Sequence, residues 1–342
     1  MRIAFLTPYL PFPPDTGGKL RSYHLFTQLA RRHEVDVFTV HYEEHPRGIE
    51  EVKKRCSRLY LFRLSRSWSR AYRLRQIIAA LPRSVDYFHT AESLAVVRQY
   101  LTSNQYDLIF VDELVMIPYA MGLTTPCVLS QQKIDYAHYW ETAVARSWGQ
   151  EKLLDYLEAL KLKRFLAHAL RADYIQCIVC STIDEQIVHQ MNPRITTFVM
   201  PNGVDMSQFP EPARYRTTMS DEGPTLAYVG TMSYYPNIDA ILYFWREMYQ
   251  HIAAQIPNVR LLIVGHNPPR EILRLAESPN VVVTGTVPDV RPYLNQSTAM
   301  IVPLRLGGGT RLKILEAMAM GVPIVSTSVG CQVLNLVRPP FI

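Results

Sequence analysis

Short apolar runs alternate with amphipathic helical stretches along this chain, and that alternation stops once and then begins again. "RIAFLTPY" reads as a strand, followed by a Pro/Gly loop and the helix "KLRSYHLFTQLARRH". The strand "EVDVFTV", a helical stretch around Gln76 to Ala80, and the strands "DLIFVDE" and "TPCVLSQQ" come next. A long helical region from about Tyr139 to Leu170 precedes the strands "YIQCIVCS" and "TTFVMPNG". Strands separated by helices imply a parallel sheet with helices on both faces. The polar, turn-rich stretch "MPNGVDMSQFPEPARYRTTMSDEGP" interrupts the pattern. It then restarts with "TLAYVGT", "DAILYFWREMYQHIAAQ", "RLLIVGH", "REILRLAE", "VVVTGTV", "AMIVPLR" and "PIVSTS". The reading is an α/β chain of two doubly wound, Rossmann-like domains, 1–205 and 225–342, joined by a linker at 206–224. At 342 residues the chain is long enough for two cores. A ligand is expected in a cleft between them, at the carboxyl ends of the strands.

Composition narrows the classes. With 48% hydrophobic and 19% charged residues the chain resembles a globular protein rather than a disordered one. No apolar run reaches the length of a membrane-spanning helix. "MRIAFLTPYLPFPP" lacks the zones of a signal peptide, so a cytoplasmic location is expected. Five cysteines fit a reducing compartment, and the Cys177–Cys180 pair lies in a strand-like setting that reads as core. The net charge of +6 is uneven: residues 53–75 carry many bases, interleaved with aromatics such as Tyr60, Trp68 and Tyr72, and no acid. Such a stretch is either a solvated helix face plus a strand, or a surface for an anionic membrane leaflet, a lipid phosphate or a polyanionic glycan. The second reading places the protein peripherally at the inner membrane face. No nucleic-acid recognition motif accompanies the charge.

The stretch "LRLGGGTRLKILEAMAMGVPIVSTS" carries the chemistry. Three glycines, Gly307 to Gly309, run into a helix whose first turn has Arg311 and Lys313 and no acid. The positive end of a helix dipole disfavours cations, so two of them there call for a compensating anion. Thr310 is the expected N-cap, and the free amides beyond it, together with Arg311 and Lys313, would hold a diphosphate. Glu316 projects from the side of Lys313 and could accept hydrogen bonds from ribose hydroxyls. The stretch is neither a GxxxxGK[ST] loop nor a GxGxxG turn.

These residues, with "PNGVD" at Pro201 to Asp205, "YVGTMSYYPN" at Tyr228 to Asn237 and "TPYLPFPPDTGGKLRSYHL" near the amino terminus, resemble a family 4 glycosyltransferase of the GT-B fold. The similarity is to bacterial sugar transferases of exopolysaccharide and cell-surface glycan assembly. It implies that Gly17 and Gly18 face the donor diphosphate across the cleft, and that Gly230 and Gly309 lie beside the phosphates. It implies further that Val287, in "TGTV", belongs to the loop meeting the base, and that Glu316 binds the ribose. Asp135, in "SQQKIDYAHYW", falls where such enzymes contact the sugar or acceptor. Two departures stand out: Gly308 occupies the position of the first glutamate of a paired-glutamate motif, and the sequence given stops soon after "STSVG", which reads as a shortened C-terminal domain.

The resemblance implies transfer of a sugar from a nucleotide-diphosphate sugar to an acceptor hydroxyl of a glycan or lipid-linked glycan. Retention at the anomeric carbon, no cofactor and no essential metal are implied with it. Two other readings fit the same architecture: a sugar-nucleotide epimerase, and a catalytically defective relative acting as a binding protein.

Overall fold

The computed structural model describes residues 1–42, 46–64, 70–209, 223–232, 234–307, 309–332 and 334. The chain divides after Pro201 into two compact units. That break falls just before the expected linker, of which 210–222 lies outside the described residues.

The N-terminal unit is built on seven parallel strands: β1 (Arg2–Thr7), β2 (Glu34–His41), β3 (Arg58–Arg63), β4 (Leu108–Asp112), β5 (Cys127–Gln131), β6 (Ile175–Val179) and β7 (Thr197–Val199). Their order is β3-β2-β1-β4-β5-β6-β7. Side-chain alternation along β1 sends Ile3 and Phe5 into one buried cluster and Ala4 and Leu6 into another. The sheet is therefore apolar on both faces, which is what a parallel sheet covered by helices requires. Phe5 stacks on Phe110 of β4 at 5.1 Å between ring centroids. Each fully buried side chain of this size contributes about 1.5–3 kcal/mol.

The C-terminal unit holds five parallel strands: β8 (Thr225–Val229), β9 (Arg260–Val264), β10 (Val281–Gly285), β11 (Ala299–Val302) and β12 (Ile324–Ser326). Their order is β10-β9-β8-β11-β12. In each sheet the chain builds outward in one direction and then crosses to the other side of its first strand. The switch points fall between β1 and β4 and between β8 and β11, where ligands of such sheets bind.

Three details differ from the sequence reading. The helical region expected from Tyr139 to Leu170 is two packed helices, Asp135–Ala145 and Gln150–Ala169, because the chain leaves the helix at Arg146 and restarts after Gly149. The helix expected around Gln76 begins earlier, at Arg70, and ends at Ile78. The start of the basic stretch is paired with acids just before it while staying exposed: Lys53 pairs with Glu50 at 2.9 Å, and Lys54 and Arg55 pair with Glu51. Residues 65–69 of that stretch lie outside the described residues. No helix among the described residues is long and apolar enough to cross a membrane.

Cys177 and Cys180 are both fully buried, and burial pushes their thiols up to about 12 and about 11. They are core residues rather than thiolate ligands.

Candidate functional site

In the C-terminal unit, β11 delivers the chain into the glycine loop. Gly307 and Gly309 take φ of +103° and +76°, values that side-chain-bearing residues rarely adopt. Gly308 lies outside the described residues. Arg311 turns back over this loop, donating from Nη1 to the Gly309 carbonyl at 3.1 Å and from Nη2 to the Gly307 carbonyl. The helix runs Leu312–Ala319 with Arg311, not Thr310, as its N-cap residue, and no side chain caps it. Thr310 Oγ1 is instead buried without a hydrogen-bond partner among the described residues. The loop's left-handed glycines shift the helix start past the threonine and leave the first amides without a side-chain acceptor.

Lys313 sits in the first turn of this helix, and its ammonium is hydrogen-bonded to two neutral groups. It donates to the Tyr228 hydroxyl at 3.2 Å and to Asn237 Oδ1 at 3.1 Å, and lies 4.3 Å from the centre of the Tyr228 ring. Burial, reinforced by the neighbouring Arg311 charge, lowers its pKa to about 7; Glu316 opposes the shift. The Tyr228 hydroxyl in turn donates to Asn237 Oδ1 at 2.7 Å. Gly230, directly after β8, packs under the lysine: a Cβ there would lie 2.9 Å from its Nζ. Gly265, after β9, packs against Gly230, where a Cβ would meet the Gly230 carbonyl oxygen at 1.7 Å. Glu316 is partly buried on the same helix, its carboxyl raised by desolvation and lowered in part by Lys313 and Arg291. Val287 lies in the loop after β10 with its side chain packed on the unit's core.

In the N-terminal unit, Gly17 and Gly18 open the helix Gly17–Ala30, capped by Thr16, whose side chain accepts from the Lys19 amide. Behind them is a polar network at the switch point. Asp112, at the end of β4, is fully buried and accepts from the Ser22 hydroxyl and from Thr7 Oγ1 at 3.4 Å. Burial raises it to about 6, although Ser22, Gln132, Arg21 and Thr7 all favour its charged form. Gln132 Nε2 reaches both the Gly18 carbonyl and Ser22 Oγ at 3.3 Å.

Glu113 is the residue that sequence reasoning missed. Its backbone takes φ 73° and ψ 146°, outside the regions a side-chain-bearing residue normally occupies. Its carboxyl is raised to about 8 by burial and by the nearby Asp112 and Asp135 charges, with Lys133 opposing. A Cβ on Gly18 would lie 3.5 Å from its Oε1, an ordinary contact, so the carboxyl sits directly beside the glycine pair. The only signal in the sequence was a polar pair, Asp112–Glu113, ending the apolar strand "DLIFVDE". Asp135 starts the helix Asp135–Ala145 and lies 3.7 Å from Lys133 Nζ, its pKa raised by burial. The sequence-predicted residues thus gather in two places, Gly230, Gly309, Thr310, Arg311, Lys313 and Glu316 in one unit and Gly17, Gly18 and Asp135 in the other. No cluster of metal-binding side chains occurs among the described residues.

Residues 223–339 match the family model of the Glycosyl transferases group 1. Among solved structures, the chain is similar to sucrose-phosphate synthase from Thermosynechococcus elongatus, with a TM-score of 0.71 and 19% identity over 97% of this chain and 82% of that one. It is similar to HepE from Anabaena, solved with UDP and glucose, with a TM-score of 0.60 and 16% identity over 96% and 81% of the two chains. It also resembles WaaG, a glycosyltransferase involved in lipopolysaccharide biosynthesis, with a TM-score of 0.61 and 16% identity over 96% and 81%. No curated protein sequence matches the chain. Likeness at these identities establishes the GT-B architecture of two Rossmann-like units.

Proposed function

We propose that this chain is a glycosyltransferase that moves a sugar from a nucleotide-diphosphate sugar to an acceptor hydroxyl with retention, in the synthesis of a surface or extracellular glycan. The observation that carries this reading is the half-buried Lys313 beside Arg311 at an uncapped helix start, hydrogen-bonded to the neutral Tyr228 and Asn237. A cation kept in such a setting is stabilised by an incoming anion, and a diphosphate has the charge and the oxygens to accept from it, from Arg311 and from the free amides. The match of this unit to the Glycosyl transferases group 1 model supports the same assignment.

In the proposed reaction the acceptor oxygen bonds to the anomeric carbon as the carbon–oxygen bond to the diphosphate breaks. The electron pair leaves on the diphosphate, which takes up the hydroxyl proton. Arg311 and Lys313 stabilise the charge that develops there, and fixed donors of this kind supply a large part of the barrier reduction in such reactions. Glu316 is proposed to accept from the ribose hydroxyls and the loop carrying Val287 to meet the base. Gly17 and Gly18 are proposed as backbone donors to substrate oxygens, and Asp135 as a contact to a sugar or acceptor hydroxyl. The proposal invokes neither a metal nor a cofactor. An anionic lipid surface at residues 53–75 is its least supported element, since Lys53, Lys54 and Arg55 are already paired with acids. Equal partitioning onto neutral and anionic vesicles would remove it.

The test is calorimetric titration of UDP and GDP into the full chain, with Arg311→Ala and Glu316→Ala as controls, followed by a donor screen read as free nucleotide. Micromolar binding lost in both variants, with nucleotide released only when an acceptor is present, supports the transferase. An isomerised donor with no free nucleotide would make it an epimerase. Absence of binding by folded protein would leave the defective relative.

A further inference from the structure

The stretch "YVGTMSYYPNIDA" gives the site more than Gly230. Its second half opens the helix Tyr235–Phe244, and two polar residues near the start of that helix, Asn237 and Asp239, reach the two flanks of the glycine loop. Asn237 is buried although asparagine is a poor helix former, so its side chain must be held by something other than propensity. Its amide is in full use. Oδ1 accepts from the Tyr228 hydroxyl at 2.7 Å and from Lys313 Nζ at 3.1 Å, and Nδ2 donates to the Thr231 carbonyl at 2.8 Å. Only a side chain with an acceptor and a donor on one short stem fills all three roles. Lys313 lies beyond the loop, and its long stem carries rotamer freedom that these bonds remove before any ligand arrives.

The strand side of the loop is held by the same helix. Arg305, two residues before Gly307, donates from Nε to Asp239 Oδ2 at 3.0 Å and from Nη2 to Oδ1 at 2.5 Å. Its guanidinium also lies 4.5 Å from the centre of the Tyr243 ring, one turn further along. This two-point grip uses up the Arg305 charge, which makes that arginine a strut rather than an anion ligand. Between the two flanks, Arg311 braces the loop from within through the Gly307 and Gly309 carbonyls. The left-handed glycines give the loop its freedom, and the helix Tyr235–Phe244 takes that freedom away at both ends.

We propose that Asn237 and Asp239 are positioning residues: acting through Lys313 and Arg305, they fix the two flanks of the glycine loop in the arrangement that receives the diphosphate. The identity of the anion rests on the transferase reading; the clamp rests on the contacts of this helix. Donors fixed in advance need no ordering when charge arrives, which is where such residues act on binding and on rate.

The experiment titrates UDP, GDP, uridine and guanosine into the full chain and into Asn237→Ala, Asn237→Asp and Asp239→Asn. Diphosphate affinity is expected to fall about tenfold in Asn237→Ala and about threefold in Asp239→Asn, the scale of a bond to a charged group and of a half-exposed ion pair. The nucleosides lack the diphosphate and should bind each variant as they bind the wild type. A merely structural role does not produce that split. Asn237→Asp supplies a second readout, because it sets a carboxylate beside Lys313 Nζ, where Arg311 and Glu316 are the other charged groups. The added charge favours the ammonium, so the loss of UDP affinity at alkaline pH should move up by about one pH unit or more. Asp239→Asn and Asn237→Asp, with their thermal transitions recorded, keep the test decisive where Asn237→Ala fails to fold. Unchanged diphosphate affinity, a parallel loss of nucleosides and diphosphates, or an unmoved pH profile overturns the proposal and leaves the transferase reading standing. Failure of that reading is a different result: neither diphosphate binds the wild type, and the proposal falls with it.

Discussion

At the switch point of the N-terminal sheet three desolvated carboxyls cluster with Arg21 and Lys133 beside them, whereas at that of the C-terminal sheet two cations, Arg311 and Lys313, cluster with one carboxyl, Glu316, beside them. Asp112, Glu113 and Asp135 are all raised by burial, and Glu113 further by the other two. Lys313 is lowered by burial and by Arg311. The same scaffold, a strand end meeting a helix start, thus holds like charges in a setting that opposes their ionisation. In each cluster the neighbours of opposite charge offset the burial only in part. The C-terminal one favours an anion, and the N-terminal one favours hydroxyl groups that can donate to it. The difference follows from which side chains end the strands, not from a difference in backbone plan.

The largest effect expected on this comparison comes from breaking the C-terminal platform itself. Gly265→Ala puts a Cβ against the Gly230 carbonyl, a backbone atom that cannot swing aside. A loss of about 3–5 kcal/mol in urea unfolding of the C-terminal unit is expected, since steric strain of this kind belongs to the severe class. Wild-type stability would show that the two turns separate freely.

Removing the cation is the next test. Lys313→Met deletes the ammonium while keeping the bulk, and UDP affinity should fall roughly 10–100-fold, the worth of a charge-assisted hydrogen bond. Arg311→Ala should cost a similar factor by calorimetry. An unchanged affinity in both would leave the cationic half of the comparison without a ligand.

The direction of the pH dependence sharpens it further. Below pH 7 the Lys313 ammonium is already charged, so UDP binds without proton uptake. Above its lowered pKa of about 7 the free protein must first take up a proton. Affinity should therefore fall as pH rises from 7 towards 9, by at most about tenfold per unit. The same titration on Lys313→Met controls for the ligand's own ionisation and should lack this slope.

The smallest effect is expected on the carboxylate side. Glu113 binds its proton more tightly folded, with a pKa near 8, than unfolded, where its ordinary value is 4.5. Its contribution to stability accordingly declines as pH rises from about 4.5 to about 8. Glu113→Gln should stabilise the N-terminal unit at pH 7 by about 1–2 kcal/mol and flatten that decline in chemical denaturation. A destabilised variant would mean that the carboxylate makes interactions outweighing its burial.

Much of the fold was legible because it depends on periodicity. The parallel strands, the restart near Thr225 and the glycine loop before Leu312 each follow from local pattern and backbone freedom. The break between Ala145 and Gln150 was not, because one glycine within a helical composition does not by itself reveal where a chain reverses. Thr310 shows the same limit at the site: its residue type suits a cap, but the left-handed glycines before it move the helix start by one residue. Glu113 was invisible for a deeper reason. Its raised pKa comes from Asp112 on the same strand end and Asp135 on a helix after the next strand, and adjacency in space is not written in spacing along the chain.

The sequence by itself therefore determined two parallel α/β units, a glycine-rich loop feeding a cationic helix start, and the positions where strands hand over to loops. These are consequences of side-chain periodicity and of the backbone freedom of glycine, both local. Only the tertiary structure decided that Lys313 is hydrogen-bonded to Tyr228 and Asn237, that Gly265 supports Gly230, and that Glu113 carries a strained backbone beside two other carboxyls. Those facts depend on desolvation and on distances between residues far apart in the chain, and burial is a property of the packed molecule rather than of any segment of it.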